Sequence, residues 1–212
     1  MPALKIALLT SGRGTLLRYV LSACSDGILD GSVVAVASNR VCPALDVAAV
    51  AGVPHISHHE IDRYQDRRER DAGMASALTR AGADFVLVGG YTEVLEQSLL
   101  DRFPDRVISV YPTLLPAFGE LDEAIGPALA YGVKALGLTI HFRDPLSLSD
   151  GAIIAQFPIA VDVTDTVASV GSRIAALERE HLPRVMQAFA DGHVERDGRQ
   201  VLIHSPQGAL SR

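Results

Sequence analysis

Short apolar runs alternate with segments of helical spacing along this chain, and this alternation limits the fold more than any other feature. Residues 4–10 form an apolar run that only Lys5 interrupts and that ends at Thr10, as in a central strand of a parallel sheet that is covered on both faces. Similar runs recur at residues 33–37, 52–56, 85–88 and 107–111, and predicted helices occupy 16–24, 44–51, 64–81 and 95–102 between and after them. The sequence therefore predicts an α/β fold with a doubly wound, mostly parallel sheet.

The pattern changes after residue 116. Residues 135–142 and 152–161 are two adjacent apolar runs, which we interpret as an antiparallel C-terminal extension of the sheet. A long helix is predicted over 167–190, and Asp197-Gly198 is typical of a hairpin turn between two short terminal strands. We expect a single domain over 1–212, with a nucleotide- or phosphate-binding half (1–112), a C-terminal half (113–204) and a loose tail (205–212).

Composition excludes several classes of protein. The 212 residues are 48% hydrophobic, which is enough for a sizeable core. The net charge of −6 argues against a general nucleic-acid binder, because such proteins carry an excess of Lys and Arg. No apolar stretch reaches the ~20 residues that span a bilayer, and no signal peptide is evident after Met1. We therefore expect a cytoplasmic protein that binds neither nucleic acid nor membrane.

Cysteine and histidine residues give no metal-binding pattern. Cys24 and Cys42 lack the spacing of a metal site, and we expect both to pack as small apolar residues in a reducing compartment. His55, His58 and His59 cluster after the third predicted strand, and we interpret them as a surface loop rather than a metal site. The sequence thus predicts no bound metal.

The segment Gly12-Arg13-Gly14-Thr15 lies between the first strand and the first helix. Glycines let a backbone approach a phosphate closely, and the free N–H groups of a helix start favour negative charge. Arg13 adds a charged donor. The alternative is that the two glycines only permit a tight turn. We favour the phosphate-binding interpretation.

The same loop partly fits the dinucleotide fingerprint Gly-x-Gly-x-x-Gly. Leu17 occupies the place of the third glycine, so the fit is incomplete. The second strand ends in Ser38-Asn39-Arg40, without the acidic residue expected for an NAD ribose, although Arg40 could meet an NADP 2′-phosphate. A nicotinamide cofactor is therefore the less favoured ligand.

Several motifs resemble those of the glycinamide ribonucleotide transformylases over residues 4–194. Residues 11–15 are similar to the family's Ser-Gly-x-Gly-Ser loop, residues 113–116 to its Ser-Leu-Leu-Pro turn and residues 140–142 to its Val-His-Phe strand. The resemblance implies a Rossmann-like formyltransferase fold. It also implies transfer of a formyl group from 10-formyltetrahydrofolate to the amine of a phosphorylated small molecule, in purine and one-carbon metabolism.

The resemblance places the reacting groups where this chain departs from the family. The family's Asn-x-His and Asp-x-Gly appear here as Ser109-Val110-Tyr111 and Ser149-Asp150-Gly151. Ser109 and Tyr111 keep hydroxyl donors for a formyl oxygen, whereas Ser149 cannot act as a carboxylate. Asp150 points the other way on an extended segment and would serve only if the loop were re-threaded. His141 matches a family histidine and is our candidate for proton transfer, beside the alternative of a buried structural histidine.

The resemblance also implies ligand-binding residues. Glu178 matches a glutamate that holds the substrate ribose, and Arg67 matches an arginine near the substrate phosphate, or else is a solvated helix charge. The family's folate-binding Gly-Phe-Met-Arg-Ile-Leu corresponds to residues 90–95, with Glu93 in place of the arginine. Backbone groups of this stretch recognise the pterin in the family. The cofactor-side candidates are Tyr91, Glu93, Val94 and Leu95.

Two functions remain open from the sequence. Losing one oxyanion donor costs about 10²–10³ in rate, and losing a general acid or base costs about 10²–10⁴. The family reaction carried out by the family's own groups would therefore be very slow in this chain. Because the ligand-binding residues are kept around the replaced groups, we favour an enzyme of altered chemistry, a divergent folate-dependent formyltransferase that uses non-standard catalytic groups. The alternative is a catalytically silent homologue that binds a phosphorylated ligand or a partner protein. A homodimer is left open.

Overall fold

A computed structural model describes residues 3–119 and 123–204. The strands are β1 (Leu4–Leu9), β2 (Gly31–Ser38), β3 (His55–His58), β4 (Phe85–Val88), β5 (Val107–Tyr111), β6 (Ala135–Phe142), β7 (Ile153–Ala160), β8 (Val194–Asp197) and β9 (Gln200–Ile203). The helices are α1 (Thr15–Ser25), α2 (Pro43–Val50), α3 (Arg67–Arg80), α4 (Gln97–Leu100), α5 (Ile125–Tyr131) and α6 (Val167–Ala190). The tail predicted to be loose, 205–212, lies outside the described residues.

The first seven strands form one sheet in the order β3-β2-β1-β4-β5-β6-β7. Strands β1 to β5 are parallel, β6 runs antiparallel to β5, and β7 runs antiparallel to β6. Strands β8 and β9 form a separate antiparallel hairpin. The predicted fold class, a mostly parallel doubly wound sheet with an antiparallel C-terminal extension, is confirmed.

Helices cover both faces of the sheet. Buried apolar residues of α1, α2, α5 and α6 pack in one cluster with the sheet, and Phe189 of α6 contacts Phe85 and Phe142 edge-on. Residues of α3 and α4, among them Met74 and Leu99, pack in a second cluster against the opposite face. The continuously apolar strands follow from this double cover. No helix within 3–119 and 123–204 combines the length and apolarity needed to cross a bilayer.

The structure differs most from the sequence prediction at three elements, β3, α4 and α5. Strand β3 occupies 55–58 rather than 52–56, because Gly52 is in a left-handed turn and Pro54 has no N–H to donate. The interpretation of the three histidines as a surface loop was therefore wrong: two belong to β3, and His59 is buried. Helix α5 was not anticipated from the sequence, and α4 is only four residues long.

Helix α4 begins two residues later than predicted because the backbone before it is extended. Glu96 has φ −85° and ψ 156°, and its N–H donates to a carboxylate oxygen of buried Asp71 at 2.7 Å. This contact ties the chain to α3 and keeps Leu95 out of the helix. The free cysteines are as expected, since Cys42 is buried and Cys24 is half-buried.

Candidate active site

The strand order reverses between β1 and β4, and ligands in doubly wound sheets bind where this occurs, at the carboxyl ends of the strands. The loop 11–15 follows β1 at this edge. The N–H of Ser11 donates to the carbonyl of Gly90 at 2.8 Å, and its hydroxyl donates to Oδ1 of Asn39 at 2.5 Å. The switch point therefore brings the predicted phosphate loop beside the predicted folate stretch.

The two glycines of the loop differ in what they do. Gly14 has φ +77°, and a Cβ there would lie 3.0 Å from the Cα of Ala44 in α2. Gly12 has open space where its Cβ would be. Gly14 is thus required by the turn and by the close approach of α2, whereas packing places no such demand on Gly12.

The helix start behind the loop is suited to an anion. The N-cap residue of α1 is Gly14, which has no side chain to accept hydrogen bonds from the first N–H groups of the helix. Arg13 and Thr15 are exposed beside these groups. Arg13, Thr15 and the free end of α1 therefore lie at one place on the surface.

A cavity of about 240 Å³ opens next to this loop. It collects candidates from four parts of the chain: the segment after β4, strand β5, the segment after β6 and helix α6. The lining includes Tyr91, Ser109, Tyr111, Arg143 and Glu178. Among the lining residues within 3–119 and 123–204, Glu178 is the only carboxylic acid.

The hydroxyls at the family's Asn and His positions contact backbone carbonyls. Ser109 donates to the carbonyl of Val88 at 3.2 Å, and Tyr111 donates to the carbonyl of Phe118 at 3.3 Å. Both residues are buried. Either hydroxyl must rotate before it can donate to a formyl oxygen in the cavity.

His141 is fully buried on β6, opposite Ser109 in the antiparallel register. Its Nδ1 lies 2.8 Å from the carbonyl of Phe142, and its Nε2 has no hydrogen-bond partner among the residues that the structure describes. Burial, together with the charge of Arg143, lowers the pKa of His141 to about 4. The imidazole is therefore neutral at pH 7, and His141 is not among the residues that line the cavity.

The segment that matches Asp-x-Gly does not bring a carboxylate into the cavity. The carboxylate of Asp150 is 61% exposed and accepts hydrogen bonds from Arg199 at 2.9 Å and from the N–H of Gly151 at 2.9 Å. Ser149 lies against the preceding turn, where a Cβ at Gly119 would overlap its hydroxyl. The structure does not bring these two candidates together with Ser109 and Tyr111 in the cavity.

The carboxylate of Glu93 is held by the protein itself. Its two oxygens accept hydrogen bonds from Asn39 at 2.5 Å and from the fully buried Arg70. Burial alone would raise the pKa of Glu93, but the hydrogen bonds from Asn39 and Arg70 and the charges of Arg70 and Arg67 outweigh it and lower the pKa. The negative charge of Glu93 is therefore compensated by the positive charge of Arg70.

Two backbone carbonyls of the predicted folate stretch also accept hydrogen bonds from the protein itself. The carbonyl of Val94 accepts from Arg70 at 3.4 Å, and the carbonyl of Leu95 accepts from the backbone N–H of Leu146 at 2.8 Å. Tyr91 packs in the core of the α3 and α4 face, and burial raises its pKa. Its hydroxyl has no hydrogen-bond partner within the described part of the chain.

The two remaining substrate candidates differ in position. Glu178 lines the cavity, and burial raises the pKa of its carboxyl to about 7. Arg67 is exposed at the first residue of α3 and is not among the cavity residues, although its charge acts on Glu93. Within 3–119 and 123–204, no group of His, Cys, Asp or Glu side chains could hold a metal ion.

Comparison with known proteins decides the family. Residues 4–186 match the formyl transferase family. The chain belongs to this family. It is 35% identical over 195 residues to a phosphoribosylglycinamide formyltransferase of Mycobacterium tuberculosis, which covers 92% of this chain and 89% of that protein. The Bacillus subtilis enzyme of the same name is 28% identical over 86% of this chain and 93% of its own length.

Solved structures support the same family assignment. The glycinamide ribonucleotide transformylase 1 of Symbiobacterium toebii superposes with a TM-score of 0.90 at 36% identity, covering 96% of this chain and 95% of that one. A formyltetrahydrofolate deformylase of Pseudomonas syringae, at 23% identity and a TM-score of 0.81, shares the fold. Formyl transferases of this family use a formyl-folate as the donor.

Sequence reasoning missed several residues that shape this formyl transferase site. Asn39 stood in a recognised motif but had no assigned role, whereas Arg70 and Asp71 were counted only as charges on a predicted helix. Two adjacent charges of opposite sign inside a charged helix carry no signal of burial. Arg143, the first residue after an apolar strand, could have been singled out because strand ends line the sites of such sheets.

Proposed function

We propose that this protein is a divergent formyltransferase that moves the formyl group of 10-formyltetrahydrofolate to the amine of a phosphorylated small molecule of the phosphoribosylglycinamide class. The observation that carries the proposal is the cavity at the switch point, where Glu178 meets Ser109 and Tyr111 beside the loop 11–15. Membership of the family supports the reaction type.

Each half of the chain supplies part of the site. The half 1–112 contributes the loop 11–15 and α1, whose N–H groups and Arg13 bind the phosphate. The half 113–204 contributes Glu178, whose carboxylate accepts hydrogen bonds from the sugar hydroxyls. Arg67 lies outside the cavity and contributes long-range charge.

In the reaction the amine nitrogen attacks the formyl carbon of the donor. The carbonyl oxygen takes up negative charge, and the bond from carbon to N10 of the folate then breaks. The proton lost by the amine ends on N10. The hydroxyls of Ser109 and Tyr111 are the available donors for the oxygen once they rotate from their backbone partners. Glu178 is the residue in the cavity lining whose side chain carries a carboxyl group, as the family's Asp does.

A second candidate function, that of a silent binding homologue, is favoured by one specific observation. The hydroxyls of Ser109 and Tyr111 already donate to backbone carbonyls, and the carboxylate of Asp150 is engaged with Arg199. A protein with these groups committed to its own chain would bind ligands without turning them over.

Formyl transfer to phosphoribosylglycinamide, measured with purified protein, separates the two. For the enzyme we expect turnover that falls about 10²–10³-fold in Tyr111→Phe, because one oxyanion donor is lost. Tyr131→Phe is the matched control, since Tyr131 is 82% exposed on α5. Absence of turnover in the wild-type protein, with ligand binding retained, would establish the silent homologue instead.

A further inference from the structure

Arg143 is the first residue after β6, and its side chain is buried beside the candidate active site. The backbone N–H of Arg143 donates to the carbonyl of Val107 at 3.0 Å, and this hydrogen bond fixes the backbone of Arg143 against β5. The residue as a whole is only 5% exposed. The guanidinium is therefore held inside the protein.

The guanidinium bridges two segments. Nη1 donates to the carbonyl of Leu148 at 2.7 Å, and Nη2 donates to the carbonyl of Glu93 at 3.2 Å. The N–H of Leu146 reinforces the same junction through the carbonyl of Leu95. The planar fork of arginine suits two carbonyls at once. Arg143 thus ties the segment after β6 to the predicted folate stretch.

Two cavities have Arg143 in their lining. The cavity of about 240 Å³ holds Ser109, Tyr111 and Glu178, and a second one of about 330 Å³ is lined by residues such as Leu100 and Val107. Of the residues that the structure describes, Arg143 is the one that lines both. Val107 and Ser109 are two residues apart on β5, so their side chains share a face and lie about 7 Å apart.

Arg143 separates the two cavities, and this separation, called the partition below, limits the size of the ligand that fits. Pockets that bury a drug-sized ligand measure about 300–1,000 Å³, and the cavity with the reacting groups alone is smaller than that. Joined to its neighbour, it falls within this range. A bicyclic pterin linked to an aromatic amide needs the larger space.

We propose that Arg143 is a specificity-determining residue that divides the folate side of the cleft, so that a folate binds only by displacing its guanidinium from the Glu93 and Leu148 carbonyls. This rests on the proposed function, in which a folate is the donor. The backbone groups that would recognise the pterin lie in the predicted folate stretch, where the carbonyls of Glu93 and Leu95 now accept hydrogen bonds from the segment after β6.

The test is the dissociation constant of 5-formyltetrahydrofolate, a chemically stable folate, measured by calorimetry for the wild type and for Arg143→Ala. We expect the variant to bind at least about tenfold more tightly, because a charge-assisted hydrogen bond no longer has to be broken. Arg143→Lys is the control: it keeps the charge, and we expect its affinity to stay within about threefold of the wild type. Equal or weaker binding by Arg143→Ala would overturn the proposal.

Should Arg143→Ala not fold, Arg143→Gln, which reaches one carbonyl at most, takes its place with the same expected outcomes.

Failure of the proposed function is distinguishable from failure of the partition. Tighter folate binding by Arg143→Ala, in a protein whose wild type transfers no formyl group, would contradict the enzyme and support the partition. Formyl transfer by the wild type, with unchanged folate affinity in the variant, would do the reverse.

Discussion

At the scale of single residues, Gly12 and Gly14 show how two glycines in one loop can serve different ends. Gly14 adopts a left-handed backbone conformation and leaves room for α2, so its substitution meets both backbone strain and a steric clash. Gly12 meets neither. Any requirement for glycine at position 12 therefore comes from the ligand rather than from packing.

We predict that Gly14→Ala lowers the free energy of unfolding by about 1–3 kcal/mol, through left-handed strain and contact with Ala44. Gly12→Ala is the matched control and should stay within about 0.5 kcal/mol of the wild type. Chemical denaturation of both variants measures this. Equal destabilisation of the two would contradict the different roles assigned to them.

Glu178 gives a prediction about pH. Its carboxyl has a pKa of about 7 in the folded protein against an ordinary value of 4.5, so between these pH values the folded state binds more protons than the unfolded state. Stability linked to this group is therefore greatest below pH 4.5 and is lost as pH rises through 7. Between pH 5.5 and 8 the wild type should lose about 2 kcal/mol relative to Glu178→Gln.

The measurement is a series of urea unfolding curves across that pH range. Glu180→Gln serves as the control, because the Glu180 side chain is 55% exposed two residues further along α6. Stability curves of the wild type and Glu178→Gln that run parallel from pH 5.5 to 8 would rule out a buried, proton-binding Glu178.

At the scale of secondary-structure elements, a chain of side chains connects the loops at the switch point. Ser11 donates to Asn39, Asn39 donates to Glu93, and Arg70 joins Glu93 to Asp71. Asp71 in turn accepts from the N–H that precedes α4. The loop after β1, the segment after β4 and helix α3 are thus held in one arrangement by polar contacts.

We predict that Arg70→Met destabilises the protein by about 3–5 kcal/mol, because Asp71 and Glu93 lose the cation that compensates them and Asp71 is fully buried. Arg68→Met is the control on the same helix, where the residue is exposed, and should change stability by no more than about 0.5 kcal/mol. Matching unfolding midpoints for the two variants would show that the network contributes nothing.

The same network explains why the sequence did not predict the correct start of one helix, α4. The apolar periodicity predicted the strands β1, β2, β4 and β5 because burial on both faces of a parallel sheet demands it. It placed the start of α4 too early, because the contact between Glu96 and Asp71 is made across the molecule. Local pattern carries no information about such a partner.

At the scale of the whole molecule, the fold could be predicted and the site only in part. Order along the chain and strand periodicity were enough for the doubly wound sheet, and loop 11–15, Ser109, Tyr111 and Glu178 do meet at its switch point. What could not be predicted is which way side chains point. His141 is fully buried and does not line the cavity, the carboxylate of Asp150 contacts Arg199, and the carboxylate of Glu93 contacts Arg70.

A formyl transferase with these replacements should keep substrate binding better than it keeps rate. In the proposed function, the loop 11–15 and Glu178 bind the phosphate and the ribose, and the replaced positions leave these residues intact. The proposed oxyanion donors are the hydroxyls of Ser109 and Tyr111, which would first have to leave backbone carbonyls, and this would lower the rate of the chemical step. We therefore expect a turnover number well below the typical enzyme value of about 10 s⁻¹.

The most direct measurement follows a ¹³C-labelled formyl group from 10-formyltetrahydrofolate by NMR, with phosphoribosylglycinamide as acceptor. The predicted result is a new formamide signal that grows in proportion to protein concentration and is lost when the acceptor lacks its phosphate. Label that stays on the folate, or that appears only as free formate, would contradict formyl transfer by this protein.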